Sequence, residues 1–251
     1  MTDSNPPLEQ PLAVFDVDGT LFRRGLLPAL TRRLVDEGVF SERVREELSR
    51  DYYAWVERRG SFETYDKLVF ELFLRELEGV PVTELRRCAR AEVEAHGRRL
   101  HIYTRDVARR LEQAGYHLIA ISGSPQEILD LFLAPLSFDR AWGTVLGHDA
   151  RGCYTGEMLQ NPFENKRQVL KEFLASADVG LGGSVGMGDT LSDVGFLEMV
   201  QTPIAFNPNR GLFGVARRQG WPVVVERKDV IYNLHRRLRD PVLEDGTTWV
   251  G

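Results

Sequence analysis

Cysteine is scarce in this 251-residue chain: Cys88 and Cys153 stand alone, and neither lies in a CxxC or other metal-ligand spacing. A disulfide framework and a thiolate metal site are therefore not expected, and the two read as free structural thiols. The five histidines, His96, His101, His117, His148 and His235, never adopt the HxxxH or HExxH spacing that sets two imidazoles on one helical face, which argues against a histidine metal centre. Long apolar runs are missing too. Stretches such as Leu118 to Ile121 are far too short to cross a bilayer, so no membrane partner is expected. The first residues, Met1 to Gln10, are polar and proline-containing, without the basic start and apolar stretch of a secretory signal; they read as a loose tail, and the expected compartment is the cytoplasm. An excess of positive charge is also lacking. Arginine pairs recur at Arg32-Arg33, Arg58-Arg59, Arg86-Arg87, Arg98-Arg99 and Arg217-Arg218, but acids are interleaved and the formal net charge is -5. The pairs read as solvated helix surface, with no nucleic-acid partner.

What remains is an ordinary globular composition, 43% hydrophobic and 27% charged, long enough for one large domain or a core with a smaller appended one. Leu12 to Phe15 is a short apolar run that ends in Asp-x-Asp-Gly, a buried strand followed by a turn. From Leu26 to Arg99 the spacing becomes helical, as in Val44, Leu48 and Tyr52 or Trp55, and breaks near Gly38, Gly60 and Gly79-Val80-Pro81 predict about four helices. Strand and helix then alternate. A helix at Thr104 to Ala114 leads to a strand at Tyr116 to Ser122 and a helix at Pro125 to Leu133. A hairpin-like excursion through Arg140 to Leu146 and Gly152 to Gly156 follows, then a helix at Glu164 to Ala175. The strand Ser184 to Gly188 and the helix Ser192 to Val200 precede the strand Pro203 to Phe206, the helix Gly211 to Gln219 and the strand Pro222 to Val225. The expectation is an α/β fold, a Rossmann-like, mostly parallel sheet with helices on both faces, carrying a small all-helical insertion after its first strand. Arg239 to Gly251 has too weak a pattern to assign.

Four segments carry chemistry. Asp16 and Asp18 lie at the carboxyl end of a buried strand, where open α/β sheets bind ligands, so one can attack while the other moves protons. Side chains two apart on a regular strand share a face, although the turn that begins here can redirect either. In Ile121-Ser122-Gly123-Ser124-Pro125 a strand meets a helix start, where the Ser122 hydroxyl and the Gly123 NH can hold phosphoryl oxygens. Lys166, near another helix start, can offset phosphate charge. Gly188-Asp189-Thr190-Leu191-Ser192-Asp193 places further acids after a second strand, and Asp16, Asp189 and a backbone carbonyl would suffice as protein ligands for magnesium. Taken singly, each segment has a plain alternative: a tight turn, a serine cap, a surface lysine, an acidic helix start.

Together, and in this order, the segments resemble the haloacid dehalogenase superfamily of phosphohydrolases, over about Leu12 to Val225. The resemblance implies Asp16 as nucleophile and Asp18 as general acid/base with its backbone carbonyl on Mg2+. It also implies Ser122, Gly123 and Lys166 as phosphate holders, Asp189 as metal ligand and Asp193 in support. It further implies a catalytic core of residues 1–22 and 100–251 with a helical cap at 23–99. Gly152-Cys153-Tyr154-Thr155-Gly156 is similar to the phosphoserine phosphatase branch. That branch places a glutamate soon after DxDGT and a cap arginine after a segment that Ser61-Phe62-Glu63-Thr64 resembles. Here Phe22-Arg23-Arg24-Gly25 follows, no acid occurs before Asp36, and Val69 stands where the arginine would align. Phosphoserine is thus disfavoured, and Arg23 or Arg24 is a candidate contact for a second anionic group on the leaving group. The expected activity is Mg2+-dependent hydrolysis of a small phosphorylated metabolite through an aspartyl-phosphate, by a monomer or homodimer. Phosphotransferase or mutase chemistry uses the same intermediate. Dehalogenation has no need of Asp18, and a non-catalytic phosphate-ligand-binding module has no need of all these groups.

Overall fold

The computed structural model describes residues 10–234; the expected tail, apart from Gln10, and the unassigned stretch from Arg239 lie outside the described residues. Strand β1 (Gln10–Phe15) runs through the centre of an eight-stranded sheet. It pairs in parallel with β2 (His117–Pro125) on one side and β5 (Val179–Gly188) on the other. Beyond β2 come β3 (Arg140–His148) and β4 (Tyr154–Gln160); beyond β5 come β6 (Thr202–Phe206), β7 (Val223–Arg227) and β8 (Val230–Asn233). All neighbours are parallel except at the two edges, where β4 and β8 pair antiparallel. The chain builds outward first to one side of β1 and then to the other. The ends of β1, β2 and β5 therefore form a crevice of the kind in which such sheets bind ligands.

Strand alternation decides which helices cover which face. Leu12 and Val14 of β1, with Ile119, Ile121, Ala205 and Val223, pack against α7 (Lys166–Ser176), α8 (Val194–Leu197) and α9 (Arg210–Gln219). Ala13 and Phe15, with Leu118, Ala120, Met187 and Phe206, face α1 (Leu26–Asp36), α5 (Ile102–Gln113) and α6 (Gln126–Leu133). With both faces covered, β1 is apolar at every position from Leu12 to Phe15, as parallel strands in such sheets are.

The predicted helical stretch is α1, α2 (Glu42–Val56), α3 (Phe62–Leu77) and α4 (Val82–His96). Gly79 ends α3 with φ +79°, a left-handed conformation that a residue with a Cβ adopts only at a cost. Its NH donates to Tyr154 O at 2.9 Å, and Tyr154 N donates to Val80 O at the same distance, so the α3–α4 link lies against the β3–β4 hairpin. Leu30, Leu34, Val69, Phe73, Leu85 and Cys88 from these helices belong to the same buried cluster as Phe15 and Leu118. The chain enters this segment through Phe22 to Gly25 and leaves it through Arg98 to Leu100. The two linkers touch, with Arg23 N donating to Arg99 O at 2.9 Å beside a Phe22–Leu100 bridge.

Three elements differ from expectation. β2 runs on through Pro125, carrying Ser122 and Ser124 on the strand itself. The expected helix at Ser192 to Val200 is a single 3-10 turn, Leu191–Asp193, followed by the four-residue α8. β8 went unforeseen because it is a short, exposed edge strand. The tight turn before it also carries its left-handed residue at Lys228 (φ +56°), with none of the Asn-Gly or Asp-Gly signals of a hairpin.

Candidate functional site

Immediately after β1 the chain folds into a compact turn: Val17 O accepts from the NH groups of Thr20, Leu21 and Phe22, at 3.3, 2.9 and 2.9 Å. Gly19 sits in it at φ +88°, and a Cβ there would collide with Asp189 Oδ2. Gly19→Ala therefore combines a strained backbone, about 1 kcal/mol or more by itself, with displacement of Asp189. Denaturant unfolding should show the loss of stability.

This turn separates the two acids. Asp16 keeps the face of Leu12 and Val14 and meets Lys166 from the start of α7, whose Nζ donates to Asp16 Oδ1 at 2.6 Å. The same ammonium donates to Asp193 Oδ1 at 2.7 Å. Asp193 Oδ2 accepts from the NH groups of Asp189 and Thr190, both at 2.9 Å, so both oxygens of Asp193 are engaged. Gly188 makes this packing possible, since a Cβ there would overlap Asp193. Asp18 turns the other way. It accepts from Ser122 Oγ at 2.5 Å, from Ser124 Oγ at 3.0 Å and from the NH of Leu26. Ser124 Oγ in turn accepts from Leu27 N at 3.0 Å. Gly25, the N-cap of α1, has no capping side chain. Asp18 and Ser124 supply that function, satisfying two of its otherwise orphaned NH groups and placing a carboxylate at the positive end of its dipole.

Lys166, Asp193 and Asp16 are almost wholly buried. Burial pushes the Asp16 carboxyl up to about 7 against the pull of Lys166. It also raises Asp18, opposed by the hydrogen bonds from Ser122, Leu26 and Ser124, and it raises Asp189 well above the ordinary carboxylate range, with Asp16 and Asp193 adding to the effect. Burial alone would lower Lys166; its two carboxylate partners outweigh it and the ammonium is held charged. Breaking such a buried pair costs about 3–5 kcal/mol, so Lys166→Met, which leaves two acids without their cation, should lose stability on that scale in a urea titration.

The carboxylates of Asp16, Asp189 and Asp193 lie within 4.8 Å of one another. Asp16 Oδ2 and Asp189 Oδ1 are buried without a hydrogen-bond partner. Buried charged oxygens left without partners are costly, and one ammonium does not balance Asp16, Asp18, Asp189 and Asp193. A hard divalent cation suits the two free oxygens. Asp193 is committed to Lys166 and to two backbone NH groups, and its place is in holding them.

The model of the haloacid dehalogenase-like hydrolase family matches residues 13–198. The chain belongs to this family. The hydrolase is 27% identical over 210 residues to a phosphoserine phosphatase of Archaeoglobus fulgidus, covering 83% of this chain and 56% of that one. It is also 27% identical over 224 residues to a histidinol-phosphatase of Neisseria meningitidis serogroup C, covering 85% of this chain and 97% of that protein. Against the inhibition of morphological differentiation protein of Streptomyces azureus it is 33% identical over 114 residues, which span 44% of this chain and only 40% of that relative's length. A phospho-aspartyl intermediate analogue of phosphoserine phosphatase shares the fold, with TM-score 0.59, 19% identity and coverage of 88% and 95% of the two chains.

The structure thus brings Asp16, Lys166, Asp189 and Asp193 into one group, with Asp18, Ser122 and Gly123 on the adjoining strand ends. Gly123 lies under Phe163, whose ring carbons come within 3.3 Å of where a Cβ would stand. The two candidate cap contacts have these surroundings. Arg23 donates to Lys228 O at 3.2 Å and lies 3.6 Å from Glu226, and Arg24 lines a groove between α1 and α4. Val69, at the aligned arginine position, is fully buried. Ser124 and Gly19 escaped sequence reading. Ser124 shares strand parity with Ser122, a signal that pointed to it once β2 was known to run past Ser122.

Proposed function

We propose that the chain is a Mg2+-dependent phosphatase of small phosphomonoesters, working through an aspartyl-phosphate on Asp16. The observation that carries this reading is the pair of unpartnered buried oxygens, Asp16 Oδ2 and Asp189 Oδ1, beside Lys166. When bound, Mg2+ held by Asp16, Asp189 and the Asp18 backbone carbonyl would supply positive charge to the phosphoryl oxygens.

Asp16 attacks phosphorus, forming an acyl-phosphate bond as the ester P–O bond breaks. Asp18, whose burial favours its protonated form, gives its proton to the departing oxygen. Its carboxylate then takes a proton from the water that attacks the acyl-phosphate, freeing phosphate and restoring Asp16. Ser122 and Ser124 fix the Asp18 carboxyl on one side of β1, while Lys166 holds Asp16 on the other and, with Gly123, offers donors to the phosphoryl oxygens. The residue range 23–99 acts as a cap over this site, its first helix docked to Asp18 and Ser124.

The names of the relatives support a phosphomonoester as substrate class, and the buried Val69 and the absence of an acid between Asp18 and Asp36 speak against phosphoserine. Phosphate release from an aryl phosphate and from a panel of phosphorylated metabolites, with Mg2+ and with a chelator, tests the reading. Release that requires Mg2+ is expected. No release from any substrate by folded protein would overturn it, and loss of free phosphate in favour of a phosphorylated acceptor alcohol would instead show a phosphotransferase.

A further inference from the structure

Two of the arginine pairs that read as solvated surface in sequence converge in space with Arg24. Arg32 and Arg33 of α1, Arg24 of the entry linker and Arg99 of the exit linker line one groove of about 130 Å³, with Phe22 and Ala29 as its apolar wall. The acids around it are already answered. Glu92, nearly buried, accepts from Arg33 at 3.2 Å and faces His96 Nδ1 at 2.6 Å. Asp36 accepts from Arg45, outside the groove, at 2.8 Å. Arg32 meets only neutral groups, donating to Pro28 O at 3.2 Å and hydrogen bonding to Tyr65. Among the described residues the side chains of Arg24 and Arg99 have no hydrogen-bond or ion-pair partner. Arg24, Arg32 and Arg99 thus keep uncompensated charge around one concave space, in a protein whose net charge is -5.

We propose that this groove binds a small tetrahedral oxyanion of the phosphate class, with Arg24, Arg32 and Arg99 as its donors. Guanidinium forks match the geometry of phosphate oxygens, and the volume holds roughly four waters at ~30 Å³ each, enough for such an anion with part of its hydration. Arg24 and Arg99 flank the point where the two linkers touch through Arg23 N and Arg99 O. An anion bridging them fastens the linkers of the helical segment to each other. The site shares no residue with the Asp16 group, so its occupancy stands or falls independently of the hydrolase reading.

The test is thermal unfolding of the full chain, without divalent metal, titrated with inorganic phosphate and with sulfate against sodium chloride at matched ionic strength. Wild-type protein should show a saturable rise in Tm with both oxyanions and not with chloride. In Arg24→Ala/Arg99→Ala, at exposed positions, the apparent affinity should fall by about tenfold or more, since charge-assisted hydrogen bonds are lost. Arg24→Lys/Arg99→Lys should retain part of the effect, and the distant Arg58→Ala/Arg59→Ala should retain all of it. An unchanged rise in the Arg24/Arg99 alanine variant would place the anion elsewhere and overturn the proposal, as would a rise that chloride reproduces or one that Arg58→Ala/Arg59→Ala also abolishes.

Discussion

Asp16→Asn should lower phosphate release by roughly 10⁴-fold or more while circular dichroism and the unfolding transition remain those of a folded protein, because an amide oxygen is a poor nucleophile and covalent catalysis has no substitute for it. The structure predicts little structural cost. The side chain keeps its shape, Lys166 keeps Asp193 at 2.7 Å, and the amide oxygen still accepts from the ammonium. The substitution also removes one negative charge from a group in which the buried Asp16 and Asp193 and the half-buried Asp18 and Asp189 share a single lysine. Large loss of activity with retained or raised metal-free stability is therefore the signature of a chemical role. A parallel fall in both would mark Asp16 as structural.

Asp189→Asn should separate stability from metal binding in the opposite sense. Asp189 Oδ1 is buried without a partner, and burial together with Asp16 and Asp193 holds its carboxyl well above its usual range. In metal-free protein the charged form is thus disfavoured, and the neutral isostere should leave Tm unchanged or raise it. With Mg2+, on the proposed role of Asp189 as a ligand, the order should reverse. A ligand at 100 times its Kd adds about 2.7 kcal/mol to wild-type stability. Losing a direct carboxylate ligand should weaken binding by more than the roughly 10–100-fold typical of an outer-shell partner. Scanning calorimetry of both proteins over a Mg2+ series reads both effects. A Mg2+-dependent rise in Tm that is equal in the variant would remove Asp189 from the metal site.

The sheet and its helical insertion were legible because the sequence carries strong local signals for them. The apolar strands end in acids or serine, and Gly38, Gly60 and Gly79 break the insertion into the helices α1 to α4. The acids and Lys166 were legible for a different reason: strand ends in an open sheet converge on one crevice, so order along the chain translates into proximity. Pairings between elements were not legible. The turn at Val17 to Phe22, with Gly19 at positive φ, sends Asp18 to the opposite side from Asp16. That the first helix would be capped by Asp18 and Ser124 was hidden because Gly25 offers no cap of its own and its substitutes come from β1's turn and from β2. The arginines looked like dispersed surface charge because periodicity shows each helix its own face without showing which faces meet. Arg24, Arg32 and Arg99 come from a linker, a helix and a second linker.

In the proposed mechanism the phosphoryl group passes through the Asp16 carboxylate. Acid-quenching the enzyme during turnover of a rapidly cleaved aryl phosphate with Mg2+, followed by peptide mass mapping, tests this directly. A phosphoryl group is expected on the peptide containing Asp16, released by hydroxylamine as an acyl-phosphate must be, and absent from the Asp16→Asn protein. Turnover with the phosphoryl group on Ser122, or on another residue in place of Asp16, would contradict it.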